Sequence, residues 1–216
     1  MDETAQKTAL MTALTTEHFV LQTAASSTIS ESSARSSLYV LSLSSSLVAI
    51  GFISQSRDMF VPFVATVIPA VFLLGLFTVM RLVDTSLEYM QYLSGIARIR
   101  GYYRSLGPEA AEHFAVETGR WPETSGPALR LGPLLAHLGT TASMIAVTNN
   151  VLAGVGVTML AKNLLAENLS WLAIPIGIAL AVLLTAAFLA YQRWRFSIYD
   201  EATVGSKPGP QQEQRR

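Results

Sequence analysis

The sequence predicts an all-α, polytopic membrane protein with four transmembrane helices in two hairpins and cytoplasmic helical extensions. Three observations predict it. First, the 216 residues are 50% hydrophobic and only 14% charged, with a mean hydropathy of +0.38, whereas a soluble domain carries about 25% charged residues. Second, the deficit is local: windows 36–56, 59–80, 131–161 and 168–192 contain no Asp, Glu, Lys or Arg, so all 30 charges fall in the other 117 residues. That remainder is about 26% charged, the ordinary density of a water-exposed chain. Third, Lys and Arg are asymmetric about those windows: 13 of 15 lie on the side holding both termini and the central segment, against Arg57 and Lys162 in the two short connections. Basic residues near span ends mark the cytoplasmic side. A soluble globular domain, a secreted disulfide scaffold and a disordered chain are excluded.

A helix rises about 1.5 Å per residue, so roughly 20 apolar residues cross about 30 Å of hydrocarbon. Lipid leaves backbone polar groups to be satisfied internally, so the spans are expected to be helices. Residues 1–37 are expected to be a cytoplasmic N-terminal helix, because 3–35 contain no Pro or Gly, although Ser supplies 11 of the 21 residues from 26 to 46. The start Met1-Asp2-Glu3 lacks the basic region of a cleavable leader, and the first apolar window is expected to be retained as an anchor. Transmembrane segment 1 is placed at 38–55 and segment 2 at 61–82. Pro62 opens segment 2 and Pro69 lies inside it, where a ring without an N–H should kink a helix.

The cytoplasmic segment 83–140 continues the second span. Leu82, Tyr89, Leu93, Ile96, Ile99 and Tyr103 recur at near-helical spacing, so a pair of helices is expected to project from the membrane, each burying the other's weak apolar stripe. Gly107-Pro108 breaks the chain. A short helix is expected over 109–118, followed by a Pro/Gly-rich loop over 119–133 and an interfacial lead-in containing His137. Segments 3 and 4 are placed at 141–161 and 171–191, the latter framed by Trp171 and by Tyr191 with Trp194, aromatic residues suited to the interfaces. Residues 192–216 are expected to form a disordered cytoplasmic tail.

Candidate sites are sparse. Ser42, Ser45 and Ser46 on the first span, and Ser143, Asn149, Asn150 and Thr158 on the third, could line a polar path. They could equally serve helix packing, since small and hydroxyl residues admit close backbones and Asn bonds across helices. Asn149 and Asn150 are the costliest groups to place in lipid and need partners. Ala173, Gly177, Ala181 and Thr185, four apart, mark a helix-packing face on the fourth span. Arg98, Arg100 and Arg104, interleaved with Tyr102 and Tyr103, could contact a phosphate or a lipid head group, or simply cap a helix end with cations. Glu109, His113 and Glu117 lie at i, i+4, i+8, a spacing that suits intrahelical pairing better than a metal. The four charge-free windows hold no acidic or basic residue, which disfavours proton relays, ion-coupled carriers and voltage sensors. Cysteine is absent and net charge is zero. His18 and His137 are isolated, and no Walker loop, GxGxxG or Ser/His/Asp arrangement appears. No metal, cofactor, enzymatic activity or nucleic-acid partner is expected.

Residues 14–24 (LTTEHFVLQTA), Thr28-Ile29-Ser30-Glu31-Ser32, Arg81-Leu82-Val83 and Ile96-Ala97-Arg98-Ile99-Arg100-Gly101-Tyr102-Tyr103 resemble a family of uncharacterised actinobacterial four-span integral membrane proteins. The resemblance covers most of residues 14–160 and implies a bacterial plasma-membrane protein, without assigning an activity. In architecture alone, the cytosolic helix, two-span hairpin and returning helix are similar to SLATT-type membrane effectors; the second hairpin departs from that pattern. The expectation is a homo-oligomeric assembly in the lipid bilayer, a pore or channel on one reading. On the other it is a non-conducting scaffold or sensor that recruits a cytoplasmic protein or anionic ligand through its helices.

Overall fold

The computed structural model describes residues 2–114 and 140–205. Helices are α1 (Glu3–Ile53), α2 (Arg57–Arg104), α3 (Pro108–His113), α4 (Thr141–Leu164) and α5 (Ala173–Gly205), with a 3-10 turn at Glu167–Leu172 ahead of α5. Of the described residues, 94% are helical and none lies in a strand. Four helices are long and apolar enough to cross a membrane: α1, α2, α4 and the 3-10 turn continuing into α5.

The chain divides into two units, one of Met1–Val40 with Met80–Thr141, the other of Leu41–Val79 with Ala142–Arg216. In the first unit the pairing of α1 with α2 follows a seven-residue rhythm. On α1 the buried or half-buried positions include Met11, Leu14, His18, Leu21, Ala25 and Thr28; on α2 they include Leu82, Thr85, Tyr89, Tyr92, Ile96 and Ile99. Both series alternate steps of three and four, the rhythm of a left-handed helix pair. Glu31 meets Arg81, and Leu21 meets Gly95, where a Cβ would stand 2.9 Å from the leucine Cδ1. The two contacts run in opposite directions along the helices, so the pair is antiparallel. Ile96, at 0% exposure, contributes about 1.5–3 kcal/mol by leaving water. The expectation that each helix covers the other's apolar stripe therefore holds for this unit.

In the second unit, α2 continues through Pro62 and Pro69. Pro62 is the sixth residue of α2 and Pro69 lies deeper within it, so each ring removes one i→i−4 hydrogen bond from the helix. Val64, Ile68 and Val71 of α2 are buried, as are Ala142, Ile145, Ala146 and Leu152 of α4.

Three boundaries differ from expectation. The α-helix of the fourth span, α5, begins at Ala173 after a 3-10 turn that holds Trp171. Pro175 then falls in its first turn, the position its ring favours. That helix runs on to Gly205, so residues 192–205 are helical rather than an irregular tail. Between Gln192 and Gly205 there is no Pro or Gly to stop it. The short helix after Pro108 closes at His113. The remainder of expected helix 109–118, the loop 119–133, His137, Glu117 and residues 206–216 lie outside the described residues.

Candidate functional site

The strongest concentration of buried polar chemistry lies in the second unit, on α4. Ser143, Asn149 and Asn150 are 0%, 2% and 7% exposed. Each is bound to another helix. Asn149 donates from Nδ2 to the Phe72 carbonyl of α2 at 3.1 Å. Asn150 donates from Nδ2 to Thr185 Oγ1 of α5 at 3.2 Å, and that hydroxyl in turn donates to the Ala181 carbonyl at 2.8 Å. Ser143 donates to Gln192 Oε1 at 3.2 Å; Gln192 is itself 1% exposed. A buried amide left without a partner in hydrocarbon costs several kcal/mol. Adjacent Asn residues on α4 therefore tie one helix to two neighbours.

The close approach that makes this possible comes from glycine. A Cβ on Gly154 would stand 2.5 Å from the Gly177 carbonyl oxygen and 3.1 Å from the Ala181 Cβ. A Cβ on Gly177 would fall on Thr158 Oγ1 and the Gly154 carbonyl. Thr158 turns its hydroxyl back to the Gly154 carbonyl at 2.9 Å. Ala173, at 0% exposure, Gly177 and Ala181 thus form a packing face against α4, the small-xxx-small arrangement that lets backbones meet. On the other side of α4, a Cβ on Gly156 would touch Ile68 Cγ2 at 3.0 Å.

The serines of the first span are not brought together as one lining. Ser42 and Ser46 are half-buried, while Ser45 is exposed. Residues at i, i+3 and i+4 share a helix side only broadly. The seven-residue seam turns Ser42 and Ser46 inward and leaves Ser45 outside.

In the first unit the basic cluster is also divided. Arg98 is exposed, whereas Arg100 and Arg104 are half-buried. The Arg100 guanidinium lies 5.8 Å over the Phe114 ring, and Phe114 packs at 5.2 Å on Tyr103. This cation–π contact fixes Arg100 against the end of α3. Glu109 and His113 are exposed on α3, and among the described residues no group of three His, Asp or Glu could hold a metal.

An ion-pair cluster that the spacing of residues does not announce joins α1 to α2. Arg81 donates from Nε and Nη2 to both Glu31 carboxylate oxygens, at 2.8 and 3.0 Å, and from Nη1 to Glu88 at 2.9 Å. Arg35 donates to Glu31 at 2.8 Å. Hydrogen bonds from Arg81 first, then Arg35, hold the Glu31 carboxyl down to about 2. The two-pronged Arg–carboxylate geometry adds direction to charge. Glu31 and Arg81 are 50 residues apart, so only the fold unites them.

No family model, curated protein or solved structure matches this chain.

Proposed function

We propose that the protein is a multi-pass plasma-membrane protein whose copies associate through their helices into an oligomeric, non-conducting scaffold. The 13-to-2 basic asymmetry supports a cytoplasmic place for the termini and the 83–140 segment, where the paired helices of the first unit recruit a protein or anionic ligand. One observation carries the choice of a scaffold. The side chains best suited to a water path, Ser143, Asn149 and Asn150, are committed to bonds between helices. A conduction path needs such groups turned to water.

Deletion of residues 1–30 supplies the functional test. Pull-down of the full-length protein from its own membranes is expected to retain a partner that the truncated protein loses. Equal recovery of every partner by both forms would contradict recruitment through α1.

The second reading is a pore formed between copies. The exposure of Ser44 and Ser45 on the first span favours it, since these hydroxyls face away from their own protomer. Ion flux into liposomes that falls when Ser45 is replaced by Leu would support this reading over the scaffold.

A further inference from the structure

The side of α1 turned away from α2 is exposed along its length. Thr16, Thr23, Ser30, Ser37, Ser44 and Gly51 recur every seven residues and are all exposed. Seven residues make two turns, so these positions form one line along the helix. They stand opposite the seam of His18, Ala25 and Thr28. The positions three and four residues on from each are also exposed and uncharged from Phe19 to Val48. Among them Phe19 is 62%, Val20 55%, Leu41 65% and Val48 59% exposed. After Glu17 the charges of α1 are Glu31 and Arg35, and both belong to the cluster with Arg81.

The surface of this face is notched. Within the first unit, one shallow groove of about 450 Å³ is lined by Gln22, Thr23, Ser26, Ser27 and Ser30. A second, of about 540 Å³, is lined by Thr16, Phe19, Val20, Thr23, Ala24 and Ser27. Phe19 and Val20 themselves wall the second depression, beside the smaller Thr23, Ala24 and Ser27.

We propose that this face of α1 is the interface with a second copy of the chain, packed parallel to it about a two-fold axis. The proposal rests on the homo-oligomeric reading above and names the surface that carries it. A two-fold axis places each residue beside its own copy, so any charge near the axis would meet a like charge. The 36 residues from Thr16 to Gly51 keep charge off the line throughout. The occupant must also match the face in length, about 54 Å of helix, and continue from a polar region into an apolar span; a second α1 does both in register. A strip about 10 Å wide over that length removes about 1,100 Å² from both copies together, at the threshold of a stable interface. Finally, Ser and Thr are poor helix formers, and a helix this rich in them gains its stability from packing.

Because the chain has no cysteine, single cysteines report cleanly. The full-length variants Ser30→Cys, Ser37→Cys and Ile29→Cys would be reconstituted separately in liposomes, oxidised, and sized by mass spectrometry. Ile29 is 56% exposed but lies to the side of the line. The expected result is a disulfide-linked product of twice the chain mass at 30 and 37, with at least tenfold less at 29. Absence of that product in a protein whose native mass is oligomeric would overturn this interface and leave the oligomer standing. A monomeric native mass would overturn both. Equal cross-linking at all three positions would overturn the two-fold packing. In native membranes, a cross-linked mass other than twice the chain would assign the face to a different occupant.

Discussion

Gly177 shows how much one missing methyl can hold. Replacing Gly by Ala in a helix ordinarily stabilises it by about 0.5–1 kcal/mol. Here the new Cβ would fall on the Thr158 hydroxyl and the Gly154 carbonyl, and separating α4 from α5 costs about 1–3 kcal/mol as overpacking. Gly177→Ala is therefore expected to lower unfolding stability in detergent, whereas Gly101→Ala, whose Cβ would meet only the end of the Arg104 side chain at 3.8 Å, should not. A stabilised Gly177→Ala would contradict the close approach. Glu31 makes the second residue-scale prediction. Its carboxyl is held at about 2 instead of the ordinary 4.5, so the folded state binds its proton less readily than the unfolded chain. The stabilisation is complete above pH 4.5 and is lost as the pH falls through about 2. Glu31→Gln should remove that part of the acid dependence; carboxylate infrared bands followed from pH 6 to 2 would detect it.

The helices depend on these residues in different ways. Asn149 joins α4 to α2 and Asn150 joins α4 to α5. Bonds between helices in membranes contribute about 0.6–1.7 kcal/mol each. Asn149→Ala and Asn150→Ala should each reduce resistance to unfolding by this order, and steric-trap or denaturant unfolding in bilayer mimics measures it. A pair of variants indistinguishable from the parent would remove the packing role. The continuous course of α1 and α2 was legible because residues 3–35 hold no Pro or Gly and the second span has no stop signal at the membrane. The phase of α1 was not. Ser42, Ser45 and Ser46 fit one broad helix side by their spacing, but a seam of alternating three- and four-residue steps separates them. The helix of the fourth span, α5, was cut short at 191, since apolar content marks the lipid width and not where a helix stops. Gln192, the buried partner of Ser143, was lost with it.

At the scale of the molecule, four long apolar helices and their uneven basic residues define what was most legible: class and number of candidate spans. The pairing of Glu31 with Arg81 was not, because residues 50 apart carry no local signal of their meeting. Sidedness gives a direct prediction. In the cysteine-free chain, Lys7→Cys and Arg98→Cys should react with an impermeant maleimide from the cytoplasmic side, and Lys162→Cys from the opposite side. Reaction of Lys7→Cys and Lys162→Cys from one side would contradict the three crossings between them. The central claim is that polar groups in the spans hold helices together and line no open path. Conductance of the full-length protein in planar bilayers tests it most directly. The account predicts no current above the bare bilayer; a current whose cation selectivity changes in Asn150→Asp would contradict it.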